Sequence, residues 1–108
     1  MNNEKIWIEF IRNQELLSIK KHLLDSKAKK ILEIGGKDGY LARILADWGF
    51  EVISIDINPS STYFDVKEMN ATMLEFKSDS FDLVFSSHVI AHIKDKNLLF
   101  KEINRVLK

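Results

Sequence analysis

The sequence predicts an α/β protein: a mostly parallel sheet with helices on both faces. Three observations carry this. The runs "KILEIG" and "EVISID" are short, apolar and β-branched, as strands buried on both faces of a parallel sheet are. Between them Leu41, Ile44, Leu45 and Trp48 recur at helical spacing, so the two runs are joined by a crossover helix. Gly35, Gly36 and Gly39 cluster at the carboxyl end of the first run, where open parallel sheets bind their ligands.

Taken in order, residues 4–25 read as an amphipathic helix, with Ile6, Trp7, Phe10, Ile11, Leu17 and Leu24 on or near one face. Trp7 and Phe10 are expected to be core contacts rather than a lid. Lys27 to Lys30 form a polar break before the first strand. The helix that starts at Asp38 ends at Gly49, a residue suited to a helix terminus. "EVISID" is the second strand and "INPSS", with the only proline, is a loop. Ile57 to Asp65 leaves room for at most one helical turn. A third strand is expected within residues 66–70, and "SFDLVFSS", after the turn-like "KSDS", is the fourth. The last helix runs from about Asp95, a plausible cap, to Leu107, with Leu99, Ile103 and Val106 inward. The expected organisation is one domain over 1–108: an N-terminal helix (1–28), a βαβ core (29–93) and a C-terminal helix (94–108).

Composition narrows the function classes. The 108 residues are 45% hydrophobic, enough for one core, and the net charge is zero, so no overall field attracts nucleic acid or an anionic membrane. Acidic residues dominate 31–93 and basic residues dominate both ends, which reads as Lys-rich solvated helices rather than a nucleic-acid surface. Without cysteine there is no disulfide, thiolate metal site or thiol nucleophile. His88 and His92 lie four apart but lack the carboxylate partner that a zinc site on a helix would show. Charges throughout "MNNEKIWIEFIRNQE" argue against a signal peptide or membrane span, so a cytoplasmic location is expected.

Two acids flank the glycine cluster and point to a ligand. Asp56 ends the second strand 21 residues after Gly35, which suits an acid holding both ribose hydroxyls of an adenosine. Glu33, just before the turn, would repel a pyrophosphate and suits a cationic ligand. An adenosine with an amino-acid tail and no phosphate fits both acids, and S-adenosylmethionine is that molecule. A nicotinamide dinucleotide fits Asp56 alone, and the glycine spacing is not G-x-G-x-x-G.

"ILEIGGKDGYLARILADWGFEVISIDINPS" resembles motif I and the acidic second strand of the class I S-adenosylmethionine-dependent methyltransferases. "FKSDSFDLVFSSHVIAHIKDKNLLFKEINRVLK" resembles their fourth strand and following helix. The resemblance spans roughly residues 29–108 and implies a Rossmann-like sheet of strand order 3-2-1-4 with flanking helices. It also implies site residues. Glu33 and Gly35 would line the methionine end of the cofactor, Gly36 beside them would belong to the cofactor-binding set, and Gly39 would allow close backbone passage. Asp56 would hold the ribose, and Ile57 would lie against the adenine. Asn70 and Ala71 would stand at the adenine amino group, with Asn70 accepting through its amide oxygen. Ser87 and His88 would approach the methionine portion or the substrate, and His88 and His92 are candidate bases.

The chain departs from that pattern in three places. Lys37 stands where the middle glycine belongs; its charge would pair with the cofactor carboxylate or with Glu33, or it would block the site. Asn70 replaces an acid. The family's last strands are missing, so the domain is expected to be C-terminally truncated and the strand at 81–87 to be an exposed edge that self-associates or takes up a partner chain. The function implied is methyl transfer from S-adenosylmethionine to an unidentified, small-molecule acceptor; the alternative is a non-catalytic cofactor-binding or interaction domain.

Overall fold

The computed structural model of the chain describes residues 6–10, 20–87 and 93–108, with residues 6–10 and 87 described through their backbone. The elements are β1 (Ile6–Phe10), a helical segment α1 (residues 20–25), β2 (Lys30–Ile34), α2 (Tyr40–Asp47), β3 (Glu51–Asp56), β4 (Val66–Glu68), β5 (Leu83–Ser87) and α3 (Lys96–Val106). All strand pairs are parallel and the sheet order is β1-β5-β2-β3-β4. The expected order 3-2-1-4 is found as β4-β3-β2-β5.

The N-terminal segment differs from expectation. The periodicity of residues 4–25 reads as one helix, yet Ile6–Phe10 is a strand whose register sets Ile6 beside Leu83 and Phe10 beside Ser87. The run "IWIEF" alternates as well as it spirals, and over five residues periodicity does not separate a strand from a helix. Pairing decides the matter. Helix is found at 20–25, and residues 11–19, which include Ile11 and Leu17, lie outside the described residues.

That strand also corrects the expected edge. β5 lies between β1 and β2, hydrogen-bonded on both sides, so 81–87 is not exposed for self-association or for a partner chain. Among the described strands the outer positions belong to β1 and β4. β4 has only three residues, with Lys67 and Glu68 exposed, the short and charged edge that resists further pairing.

Alternation along the strands feeds two cores. Leu32, Ile34, Ile55 and Val84 face α3, where Leu99, Ile103 and Val106 close over them together with Leu74 and Phe81. Ile31, Leu83 and Phe85 face the other way and pack with Leu23 and Leu45. Asp95 caps α3 as expected, its Oδ1 accepting from the Leu98 N–H at 3.0 Å. Arg105 of α3 donates to the carbonyls of Phe76 (2.7 Å) and Leu74 (3.0 Å), and Glu102 accepts from the Leu74 N–H (2.9 Å). These bonds tie the chain after β4 to the sheet's α3 face.

Candidate functional site

β2 and β3 end side by side, and the turn after β2 is built on that adjacency. The N–H groups of Gly35 and Gly36 both donate to the Ile55 carbonyl, at 2.8 and 2.9 Å. Gly36 must lack a side chain, since a Cβ there would overlap Ser54 Oγ and come within 2.7 Å of Glu33 Oε1. Gly39 has φ 83°, and a Cβ would lie 2.6 Å from the Cβ of Phe64. The close passage at Gly39 is therefore made by the 61–65 segment of the chain itself.

Lys37 takes the left-handed conformation, φ 52°, that glycine adopts freely; for another L-residue this costs about 1–2 kcal/mol. Bonds on both sides hold it there. Its N–H donates to Asp56 Oδ2 at 2.9 Å, and its carbonyl accepts from the Ser60 N–H at 2.9 Å. The turn thus keeps its path with lysine at this position, and the side chain is exposed.

Glu33 lies beneath the turn rather than along the cavity. It is 2% exposed, on the face opposite Ile34, and accepts a 2.7 Å hydrogen bond from Ser54 Oγ. Burial pushes its carboxyl up from 4.5 to about 7; the Ser54 bond opposes the shift, and the charges of Asp38 and Asp56 add to it.

Above the carboxyl ends of β2, β3 and β4 is a cavity of about 740 Å³, within the usual size of small-molecule sites. Of the residues expected at the site, Gly35, Lys37, Asp56, Ile57, Asn70 and Ala71 line it. Asp56 is held by two backbone donors, Lys37 N–H on Oδ2 and Asn58 N–H on Oδ1 at 2.8 Å. Each of its oxygens keeps a second lone pair for a ligand hydroxyl. Ile57 is 66% exposed and offers an apolar surface to a flat ring. Glu33, Gly36 and Gly39 support the turn from outside the cavity. Ser87 ends β5 in register with Phe10 and is described through its backbone; His88 and His92 lie outside the described residues.

The structure adds lining residues that the sequence reading passed over: Ile34, Ile55, Met69 and Thr72, and the entry to α3 at Ile93, Lys94 and Asp95. Ile34 and Ile55 follow from position, as the last residues of two adjacent strands on the α3 face. Met69 and Thr72 flank the Asn70-Ala71 pair and were within reach of the same reasoning. The α3 entry carries no local signal, because it reaches the cavity through tertiary packing.

Compared with known proteins, residues 32–108 match the methyltransferase domain family. The chain is 37% identical over 90 residues to 2-methyl-6-phytyl-1,4-hydroquinone methyltransferase of Synechocystis, covering 72% of this chain and 28% of that protein. Among solved structures, phosphoethanolamine N-methyltransferase 2 of Haemonchus contortus, in complex with phosphomonomethylethanolamine and S-adenosylhomocysteine, is 30% identical with a TM-score of 0.73, covering 89% of this chain and 26% of that one. The YcgJ protein of Bacillus subtilis shares the fold, with a TM-score of 0.75 at 22% identity, over 89% of this chain and 47% of its own. The chain thus spans half or less of the length of these relatives.

Proposed function

This chain belongs to the methyltransferase domain family, and from that premise we propose that it binds S-adenosylmethionine in the cavity above β2 and β3 and serves methyl transfer to a small-molecule acceptor in the cytoplasm. The observation that carries the reading is Asp56. Its carboxylate stands on the cavity wall, fixed by two backbone N–H groups, with lone pairs left for the two hydroxyls of a ribose. Ile57 beside it would cover one face of the base, and Gly35 lets the chain pass close to the amino-acid tail. The relatives' acceptors, a hydroquinone and a phosphorylated ethanolamine, support a small acceptor here.

The bound cofactor would supply an activated methyl group. The chain's own contribution is to hold and orient reactants, which in a direct displacement removes much of the entropic barrier. Among the described residues, the ionisable side chains on the cavity are Lys37, Asp56, Lys94 and Asp95, and both carboxylates already accept from backbone N–H groups. In this reading Asp56 is taken up by the ribose hydroxyls, and the geometry assigns no dedicated base. An acceptor with an available lone pair needs none; the second reading is cofactor binding without transfer.

Calorimetric titration with S-adenosylhomocysteine tests the shared part of both readings, and Asp56→Ala locates the site. The substitution should weaken binding by about 1–3 kcal/mol, the range for hydrogen bonds to a charged group. Absence of heat and of thermal stabilisation at millimolar ligand would overturn the proposal; binding with no methyl transfer to any acceptor tried would leave the second reading.

A further inference from the structure

At the base end of the cavity the hydrogen-bonding sense is reversed from what an adenine amino group needs. Asn70 Oδ1 accepts from the Thr72 N–H at 2.9 Å and from the Thr72 hydroxyl at 2.8 Å. A backbone N–H can only donate, so it fixes which end of the amide is oxygen, and the two bonds occupy both lone pairs of that oxygen. The expected acceptance by Asn70 is therefore spent inside the turn. What remains is the amide NH₂, with no partner among the described residues, on a residue that lines the cavity. The neighbouring Ala71 also lines the cavity, and its backbone N–H likewise has no partner among the described residues.

Two adjacent donors make an edge that cannot tell the common purines apart by matching. A 6-aminopurine presents a ring-nitrogen acceptor and an amino donor on one edge. A 6-oxopurine presents a ring N–H donor and a carbonyl acceptor. Against two donors each base finds one match and one clash. We propose that Asn70 makes this cavity tolerant of the purine 6-substituent, so that it takes a 6-oxo nucleoside thioether about as readily as the 6-amino one. The inference rests on the nucleoside-binding reading above and adds the residue that sets base selectivity. Aspartate at the same position would keep one oxygen on Thr72 and free the other as an acceptor. Adenine would then find two matches and hypoxanthine none, the kind of unpaired polar mismatch by which a site rejects the wrong ligand.

The test is a set of paired titrations with S-adenosylhomocysteine and its deaminated counterpart S-inosylhomocysteine. The native chain should bind the two within tenfold of each other. Asn70→Asp, nearly isosteric and checked by its melting curve, should shift the ratio at least tenfold toward the adenosyl ligand. Asn70→Ala, which removes the donor, should weaken the inosyl ligand and, by relieving the clash with the purine amino group, tighten the adenosyl ligand. If the native chain prefers the adenosyl ligand as strongly as Asn70→Asp does, the inference is wrong and the cofactor reading stands. If neither ligand binds either protein, the cofactor reading fails and takes the inference with it.

Discussion

Replacing Glu33 by glutamine should make the protein more stable at pH 8 and leave it unchanged at pH 4.5. Glu33 is buried and titrates near 7 in the fold, against 4.5 when free. Between those values the folded chain holds a proton that the unfolded chain has released, so stability must fall as pH rises. The contribution is fully present below 4.5, declines by about 1.4 kcal/mol per pH unit across the window, and is gone above 7. The total loss is on the order of 3 kcal/mol, or roughly 13 °C in melting temperature for a domain of this size. Glutamine matches the neutral acid in shape, and its oxygen can still accept from Ser54 Oγ. The assay is urea unfolding of both proteins at half-unit intervals from pH 4.5 to 8.5. The two curves should meet at the acid end and separate by about 3 kcal/mol at the basic end. Parallel curves across the range would refute the reasoning, because they would mean that Glu33 is ionised in the fold without penalty.

Gly39→Ala should destabilise by about 1–3 kcal/mol, since the new Cβ would meet Phe64 at 2.6 Å in a left-handed conformation; a melting temperature within one degree of the native value would contradict it. Lys37→Gly should preserve or tighten binding of S-adenosylhomocysteine. Its effect on stability should be a gain of no more than about 1 kcal/mol, because relief of the left-handed strain is partly offset by glycine's extra unfolded freedom. A marked loss of affinity in the same titration would show that the lysine side chain contacts the ligand.

What could be read from the sequence was whatever local chemistry determines. The βαβ unit is legible because "KILEIG" and "EVISID" are short β-branched runs on either side of a helical stripe, and the last helix because Asp95 and the stripe at Leu99, Ile103 and Val106 define it on their own. Asp56 is legible from its place at the end of a strand. The burial of Glu33 was not, since only the sheet register sets it beside Ser54, whose hydroxyl it accepts from. The place of Asn70 on the cavity was legible but not its polarity, because the Thr72 bonds that use up its oxygen depend on the turn geometry. The helix expected over residues 4–25 failed at Ile6–Phe10 because the partner that makes it a strand lies more than seventy residues away.

The place of β5 between β1 and β2 bears on the order in which the chain can assemble. During synthesis, residues 6–10 leave the ribosome more than seventy residues ahead of their hydrogen-bonding partner, the last of the described strands in chain order. β2, α2 and β3 can associate while the ribosome is still at work, because their contacts are near in sequence. β1 must wait. Closing a loop of that length carries an entropic penalty that only a finished β5, already seated on β2, can offset. The segment "IWIEF" therefore spends the growth of the chain as an apolar strand with no sheet to join, the condition in which nascent chains most need a chaperone's hold.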